Sequence, residues 1–320
     1  MKNKNGVMSV NAIIEKITEQ IQEGIYPGAS LALYRNGQWS EHYLGLADPE
    51  KGEPVVADLV YDLASVSKVV GVATICAFLY AKGELALDRP FKEVYPRFVH
   101  EKTTIRELLT HTSGLDPFIP NRDQLDARQL KTALENLQLK EDKSFHYTDV
   151  NFLLLGFWLE DRFHQPLDRL FEELIFAPWK MAETRFGPVE KAVPTVRGVA
   201  SGSVHDPKAR VLGRHAGSAG LFSTVSDLER FLEHYLRDDF ARELSQNFAP
   251  KEGKTRALGW NLEGDWLDHT GYTGTFIMYN RKRQEAVIFL SNRTYEKDER
   301  AQWILDRNSL MDLIKQECEK

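Results

Sequence analysis

Four consecutive residues, Ser65-Val66-Ser67-Lys68, place an alcohol and an amine three positions apart at the start of the longest apolar run. Residues of the N-cap type precede this run and Gly83 follows it, so the pattern predicts a helix from near Ser65 to Gly83. Positions three apart share one helical face, which brings Ser65 and Lys68 together. The helix N-terminus and the apolar neighbours disfavour an ammonium ion, so we expect Lys68 to be partly neutral and to activate Ser65 as a nucleophile. Alone, such a pair is more typical of a solvated helix face.

Two later stretches contain groups that could complete this chemistry. Tyr147, in the segment 146–151, could relay a proton beside a lysine, although a buried tyrosine with a hydrogen-bonded hydroxyl is the simpler interpretation. The segment 268–274 precedes an apolar strand and is rich in small residues. A substrate could therefore approach a strand edge there, and a backbone N–H could contribute to an oxyanion hole. A glycine-containing turn before a strand is the alternative.

The periodicity of the whole chain predicts an α+β fold. Helices are predicted at 9–23, 105–110, 126–138, 150–162, 166–175, 226–237 and 300–316. Strands are predicted at 29–34, 39–46, 257–262, 275–279 and 286–290, with a hairpin turn at Asn36-Gly37. We expect residues 9–61 and 238–320 to form one antiparallel sheet flanked by the N- and C-terminal helices. Residues 62–237 would form a mostly helical domain that carries Ser65, Lys68 and Tyr147, with the active site between the two parts.

The composition excludes several classes of protein. The chain has 320 residues and 42% hydrophobic residues, and no stretch approaches the ~20 consecutive apolar residues of a transmembrane helix. With a net charge of −6 and no basic stripe, nucleic-acid binding is not expected. Cys76 and Cys318 provide neither a disulfide framework nor a metal-binding spacing. The stretch 1–6 is basic and lacks the apolar region of a signal peptide, so we expect a cytoplasmic location unless an export signal has been removed.

The order of the motifs resembles the serine β-lactamase and penicillin-binding-protein superfamily. More narrowly, it is similar to the class C β-lactamase-like group, which includes family VIII carboxylesterases and D-aminopeptidase or D,D-peptidase relatives. The resemblance covers nearly the whole chain. It rests on Ser-x-x-Lys, Tyr-x-Asp and a late His-Thr-Gly, with supporting matches at 26–30, 62–68, 108–115, 147–156, 219–224, 226–228 and 258–260.

The resemblance implies roles for the residues that match these motifs. Ser65 would be the acylated nucleophile, Lys68 its amine partner and Tyr147 the acid/base group. The backbone N–H groups of Ser65 and Tyr272 would form the oxyanion hole. The resemblance implies no metal or organic cofactor and a small-molecule ester or amide substrate. The residues expected to bind this substrate are Asp149, His269, Thr270 and Gly271.

Two departures from the family pattern bear on the substrate. Asp149 stands where the family has the asparagine of Tyr-x-Asn; if ionised, it would favour a charged Lys68 and shift the role of base to Tyr147. His269, mostly neutral at pH 7, replaces the lysine of Lys-Thr-Gly. Because β-lactams and peptidoglycan stem peptides carry a carboxylate, these changes favour a carboxylesterase acting on small esters. A β-lactamase or D,D-peptidase is the alternative, and a non-catalytic binding protein is the least compatible with the intact motif residues.

Several other residues have simpler explanations than catalysis. His205-Asp206 suggests a Ser-His-Asp triad, but adjacent residues rarely point into one site, so a structural or substrate-wall role is favoured. We expect His111 to fix a loop, Ser67 to support the helix start and Cys76 to lie in the core. Residues 187–217, rich in Gly, Pro, Ser and charge, could form a lid or a substrate wall. The oligomeric state stays open.

Overall fold

The computed structural model describes residues 10–250 and 252–319 and contains two antiparallel sheets. Residue 9 of the predicted first helix and the N-terminal stretch 1–6 lie outside the described residues. The strands are β1 (Gly28–Arg35), β2 (Gln38–Asp48), β3 (Glu53–Pro54), β4 (Tyr61–Asp62), β5 (Arg185–Phe186), β6 (Leu221–Ser223), β7 (Asn261–Glu263), β8 (Trp266–Thr270), β9 (Phe276–Asn280) and β10 (Glu285–Ser291).

The larger sheet joins the two ends of the chain, as the sequence predicts. Its seven strands follow the order β3-β2-β1-β10-β9-β8-β7, and β1 pairs antiparallel with β10. The predicted hairpin turn is confirmed, because Arg35 pairs with Gln38. Asn36 and Gly37 both have positive φ (53° and 81°), which is typical of a tight type I′ turn.

Helices cover both faces of this sheet and fill the space beside it. The helices are α1 (Val10–Gln22), α2 (Thr74–Ala81), α3 (Phe91–Val94), α4 (Ile105–Leu109), α5 (Ala127–Glu135), α6 (Val150–Phe163), α7 (Leu167–Phe171), α8 (Pro207–Leu212), α9 (Val225–Arg237) and α10 (Arg300–Cys318). A 3-10 turn, Ala64–Val66, and a π-helical turn, Val69–Ala73, precede α2. Together they form the helix predicted from Ser65 to Gly83.

The alternation of side chains along β10 connects two hydrophobic cores. Val287 and Phe289 pack on one face with α1 and α10, where Ile17 and Trp303 are buried. Ile288 and Leu290 face the larger core, which contains α2, α6 and α9. Successive strand residues point to opposite faces, so one strand supports both cores. This is the expected architecture of an antiparallel sheet between flanking helices, with a helical region next to it.

The smaller sheet, β4-β6-β5, supports the start of the helix that carries Ser65. Tyr61 pairs with Ser223 and Asp62 with Phe222. The Leu63 N–H continues this pairing by donating to the carbonyl of Leu221 at 2.9 Å. The chain therefore enters the Ser65 turn from a paired strand rather than from a loop.

Three segments differ from the predicted elements. The strand predicted at 257–262 is wrong for residues 257–260, because they form a turn between the bridged residues Arg256 and Asn261, with Gly259 at φ 84°; only β7 remains. The predicted turn at 268–274 begins as the end of strand β8. The predicted long loop 187–217 contains helix α8, which Asp206 caps by accepting the Ala209 N–H at 2.8 Å with Pro207 in the first turn.

One stretch, Ala64–Ala81, is long and apolar enough by length and composition to cross a membrane. In the structure 78% of it is buried inside the protein. A buried core helix passes the same test, so this finding decides neither for nor against a membrane span.

Candidate active site

The Ser65 turn is held by a buried carboxylate. The residue before Ser65, Ala64, has φ 45°, a left-handed conformation that costs a non-glycine residue roughly 1–2 kcal/mol. Asp62 stabilises this conformation by accepting the N–H of Ala64 at 2.7 Å, and its second oxygen accepts the N–H of His205 at 2.7 Å. Burial raises the pKa of Asp62 to about 6, and these two hydrogen bonds oppose that shift. The turn thus presents Ser65 to an open cleft.

The end of strand β8 packs directly against this turn. The Thr273 hydroxyl donates to the carbonyl of Asp62 at 2.9 Å, and the Thr275 hydroxyl donates to the carbonyl of Leu63 at 3.1 Å. A Cβ atom at Gly271 would lie 2.7 Å from the Leu63 carbonyl oxygen and 2.1 Å from the Thr275 hydroxyl. Only glycine fits at this position. Its absence of a side chain lets Tyr272 border the same cleft as Ser65, next to Thr270.

Lys68 connects Ser65 to two other elements. Its Nζ donates to Ser65 Oγ at 2.9 Å, to Asp149 Oδ1 at 2.7 Å and to the carbonyl of Ser218 at 2.9 Å. The lysine side chain is completely buried, whereas that of Asp149, at the start of α6, is 24% exposed. The predicted contact between Ser65 and Lys68 is therefore present, and all three ammonium protons have an acceptor.

Asp149 keeps Lys68 charged. Burial is the largest single influence and would lower the pKa of Lys68, but Asp149 and Tyr147 together outweigh it, and the pKa is raised above its usual value. Burial would likewise raise the pKa of Asp149, but Lys68 and Lys208 together hold it well below its usual range. The prediction of a partly neutral Lys68 is therefore wrong, because it considered only the helix N-terminus and the apolar neighbours. The conditional prediction that an ionised Asp149 favours the ammonium form agrees with these shifts.

Lys208 is a residue of this site that the sequence analysis missed. Its Nζ lies 3.2 Å from Asp149 Oδ2, so one carboxylate bridges two lysines. Lys208 projects from α8, the helix not predicted within 187–217. The Asp-Pro pair at 206–207 is a helix-start signal that could have revealed α8. Asp149 consequently has two ammonium groups within ion-pair distance.

Tyr147 lies between Lys68 and two histidines. Lys68 Nζ is 5.1 Å from the centre of the Tyr147 ring, and the rings of His111 and His269 are 4.5 Å and 6.1 Å away. Tyr147 is 37% exposed, which excludes the interpretation of a buried structural tyrosine. Burial lowers the pKa of both histidines well below its usual value, so both are neutral at pH 7.

The cleft in front of Ser65 has two parts. The larger, about 740 Å³, is lined by Phe118, Tyr147, His205 and Lys208 among others. The smaller, about 220 Å³, is lined by Tyr147, His269 and three cations that we call the basic rim: Lys254, Arg300 and Arg307. None of these three cations forms an ion pair with a carboxylate in the part of the chain that the structure describes.

Among residues 10–250 and 252–319, no group of three or more His, Cys, Asp or Glu side chains is placed to hold a metal ion.

The other singled-out residues have structural contacts. The His111 ring accepts the Asn151 side-chain amide at 3.1 Å and the Thr148 N–H at 3.4 Å, which agrees with a loop-fixing role. Ser67 is buried and accepts the N–H of Leu221, and Cys76 lies in the core, as predicted. His205 lines the cleft wall and Asp206 caps α8, so this pair does not form a triad with Ser65.

Comparison with known proteins identifies the family of this chain. The family model described as Beta-lactamase matches residues 13–310. The chain belongs to the β-lactamase family. It is 27% identical to a putative D-alanyl-D-alanine carboxypeptidase of Escherichia coli (strain K12), over 90% of this chain and 83% of that protein.

Solved structures with several activities share the fold of this β-lactamase family member. A β-lactamase/D-alanine carboxypeptidase from Pseudomonas syringae has a TM-score of 0.75 at 20% identity, covering 93% of this chain and 98% of its own. EstCE1, a hydrolase with promiscuous acyltransferase activity, has a TM-score of 0.76 at 19% identity, covering 95% and 97%. A class C β-lactamase from Rhodobacter sphaeroides has a TM-score of 0.70 at 20% identity, covering 95% and 99%. The protein is a serine hydrolase with the β-lactamase fold.

Proposed function

We propose that this hydrolase forms an acyl-enzyme on Ser65 and acts as a carboxylesterase on small esters. One observation carries the acyl-enzyme proposal: the Lys68 ammonium donates to Ser65 Oγ at 2.9 Å at the edge of a cleft that Tyr147 also borders. A hydroxyl held in this way, with a second proton-transfer group beside it, is the arrangement of an activated nucleophile.

The charge on Lys68 decides how the proton moves. A charged Lys68 has no free site for the Ser65 proton, so the base in this proposal is the deprotonated oxygen of Tyr147. That oxygen takes the proton directly, or it takes one from the Lys68 ammonium as Lys68 takes up the Ser65 proton, while Ser65 Oγ attacks the ester carbonyl. The N–H groups of Ser65 and Tyr272 then bind the oxyanion, because both residues border the same cleft. Tyr147 returns the proton to the departing alcohol oxygen. A water molecule hydrolyses the Ser65 ester by the same steps in reverse and releases the acid.

His269 supports the preference for esters. This side chain is buried and neutral at the position where the family has a permanently charged lysine. A neutral ester needs no cation at this position, whereas the carboxylate of a β-lactam or stem peptide loses its partner there. Thr270 and Gly271 continue the strand edge along which the substrate would lie.

A second function is favoured by the basic rim. Lys254, Arg300 and Arg307 have no ion-pair partner among the described residues, and they line the same part of the cleft as His269. They could bind a substrate carboxylate in this part of the cleft. Together with the relatives named as carboxypeptidases, this makes a D,D-carboxypeptidase or β-lactamase the alternative to the esterase.

The test compares four substrates in wild type and Ser65→Ala. These are p-nitrophenyl butyrate, the p-nitrophenyl hemiester of succinate, nitrocefin and a peptide ending in D-Ala-D-Ala. The esterase proposal predicts turnover of the butyrate ester that vanishes in Ser65→Ala, with little turnover of nitrocefin or peptide. Release of D-alanine or fast nitrocefin cleavage would establish the second function, and a preference for the succinate ester would assign the anion to the basic rim. Turnover that survives in Ser65→Ala would contradict both.

We also infer a cytoplasmic location and a small-molecule substrate. Cell fractionation followed by immunodetection tests the location. Recovery of the protein with a periplasmic marker would contradict it and would favour the cell-wall substrates.

A further inference from the structure

The segment at the end of strand β10 holds the turn after β8 at three consecutive carbonyls. The Arg293 side chain donates from Nε to the carbonyl of Tyr272 at 2.9 Å, and the Arg293 backbone N–H donates to the carbonyl of Thr273 at 3.0 Å. The Ser291 hydroxyl donates to the carbonyl of Gly274 at 2.9 Å. Each carbonyl from 272 to 274 therefore has its own donor, so this stretch of backbone is fixed residue by residue.

Gly274 makes room for Arg293 beside this turn. It adopts φ 104°, and a Cβ atom there would lie 2.7 Å from Arg293 Cγ and 2.3 Å from Ser291 Oγ. A larger residue would displace the arginine from the carbonyl that it binds. The close approach of the two segments thus depends on glycine.

Arg293 also contacts the Tyr272 side chain, both directly and through a carboxylate. Its guanidinium carbon lies 4.7 Å from the centre of the Tyr272 ring. Its Nη1 donates to one oxygen of Asp298 at 2.5 Å, and the Tyr272 hydroxyl donates to the other oxygen at 2.5 Å. A planar guanidinium can make these contacts together because its donors have a fixed geometry. One residue therefore holds both the backbone and the ring of Tyr272.

The backbone N–H of Tyr272, in contrast, is left unpaired. It forms no hydrogen bond with another residue of the described chain, whereas the N–H groups of Gly271 and Gly274 both donate within the turn. Tyr272 borders both parts of the cleft in front of Ser65. An unpaired donor on a residue that is fixed by all its other polar groups is what a preorganised oxyanion hole requires.

We propose that Arg293 is a positioning residue that holds the Tyr272 N–H in the oxyanion hole. This inference rests on the proposed function, in which that N–H binds the oxyanion formed from the ester carbonyl. The Arg293 side chain is only 2% exposed, so nearly all of its surface contacts protein and not substrate. Its removal should therefore weaken binding of the transition state and leave binding of the ground state nearly unchanged.

The first test is Arg293→Met. Misplacing one oxyanion-hole donor should lower kcat/KM about 100-fold, measured on whichever of the four substrates wild type turns over fastest. Two inhibitors separate this effect from substrate binding. Ser65 Oγ adds to the carbonyl carbon of a trifluoromethyl ketone, its proton passes to Tyr147, and the carbonyl oxygen becomes an oxyanion. The corresponding methyl ketone resembles the ground state. The inhibition constant of the trifluoromethyl ketone should rise about 100-fold, and that of the methyl ketone by less than about threefold.

Arg283→Met is the matched control for loss of an arginine near strand β10. Arg283 donates to the carboxylate of Glu285 at 2.9 Å and to the carbonyl of Cys318, so it also joins one carboxylate to one backbone carbonyl. It lies outside the residues that line the cleft. We expect this variant to lower Tm and to leave kcat/KM and both inhibition constants unchanged.

Arg293→Lys provides a second test that keeps the buried charge and so remains informative if Arg293→Met does not fold. A single ammonium cannot reproduce the planar set of donors that binds Asp298 and the Tyr272 carbonyl together. We expect about a tenfold loss in kcat/KM and in affinity for the trifluoromethyl ketone, again with little change for the methyl ketone.

Three results would overturn the role of Arg293 while the hydrolase stands. The first is wild-type kcat/KM and wild-type affinity for the trifluoromethyl ketone in the Arg293 variants. The second is an equal loss of affinity for both ketones. The third is a rise in KM confined to the succinate hemiester, which would make Arg293 a ligand of the substrate anion. The proposed function itself fails if wild type forms no fluorophosphonate adduct at Ser65 and turns over none of the four substrates.

Discussion

The most informative perturbation of the charge network is removal of the carboxylate that bridges two lysines. Asp149 lies 2.7 Å from Lys68 and 3.2 Å from Lys208. Asp149→Asn keeps the shape of the side chain, leaves the Lys68 ammonium without a counter-charge and leaves Lys208 with only the more distant carboxylate of Asp206, at 3.8 Å. Lys208→Met removes one of the two cations and leaves the pair between Asp149 and Lys68 in place.

The magnitudes follow from these distances. With an effective dielectric constant of about 20, the two attractions amount to roughly 6 and 5 kcal/mol before desolvation is subtracted. Breaking a buried pair and leaving a charge behind costs about 3–5 kcal/mol, which we expect for Asp149→Asn. Lys208→Met should cost about 1–3 kcal/mol, because Asp149 retains Lys68. The double variant should lose about 1–3 kcal/mol less stability than the two single losses added together, since it lacks the Lys208 charge that Asp149→Asn leaves with only the distant Asp206.

The assay is urea unfolding of wild type, both single variants and the double variant at several pH values. Because the native pKa of Asp149 is depressed, the advantage of wild type over Asp149→Asn should be complete above the ordinary carboxyl pKa of about 4 and fade as the pH falls below it. Free-energy changes that simply add in the double variant would refute the bridging role of Asp149. So would a cost for Asp149→Asn that stays unchanged down to pH 2.

Three further predictions concern substrate choice and stability. His269→Lys should increase nitrocefin turnover relative to p-nitrophenyl butyrate about tenfold or more, since it restores a cation beside the cleft. Gly71→Ala should lower the free energy of unfolding by about 1–3 kcal/mol, measured in urea, because its Cβ would lie 2.4 Å from the Phe171 ring. Burial and the neighbouring Glu41 and Glu233 raise the pKa of Glu229 to about 7, so wild type should lose stability relative to Glu229→Gln as the pH rises from about 5 to 8. After allowance for solvent screening we expect a difference of about 1 kcal/mol at pH 8, measured by urea unfolding.

Each of these predictions has a result that contradicts it. An unchanged ratio of nitrocefin to ester turnover in His269→Lys would show that the residue at this position does not set the preference. A Gly71→Ala protein as stable as wild type would mean that Phe171 moves aside without cost. A Glu229→Gln variant whose stability relative to wild type is independent of pH would exclude titration of Glu229 near neutrality.

The sequence predicts those parts of the molecule that depend on short-range patterns. The helix of Ser65, the hairpin at Asn36-Gly37 and the strands β9 and β10 each follow from apolar periodicity and local turn residues. Of the motif residues, Ser65 and Tyr147 border one cleft, and Lys68 lies buried beside Ser65. A spacing of three on one helix determines the Ser65 to Lys68 contact, so this contact needs no knowledge of the tertiary structure.

The parts that could not be predicted depend on long-range electrostatics. The protonation of Lys68 is set by Asp149 on α6 and, through it, by Lys208 on α8, and neither distance can be obtained from the sequence. The segment 257–260 has the composition of a strand but forms a turn with Gly259 at φ 84°. The completely buried Arg256 side chain donates to the Gly259 carbonyl in this turn at 3.1 Å. Hydrophobic patterning cannot reveal this position, because it concerns a charged residue in the interior.

The most direct test of the account is to trap and locate the acyl group. Wild type is mixed with p-nitrophenyl butyrate, quenched in acid within the first turnovers, digested, and analysed by mass spectrometry beside Ser65→Ala. We predict a stoichiometric burst of p-nitrophenol and a butyryl group on the peptide that contains Ser65, with neither in Ser65→Ala. A butyryl group on a different residue, or steady ester hydrolysis without a burst or any acylated peptide, would contradict an acyl-enzyme on Ser65.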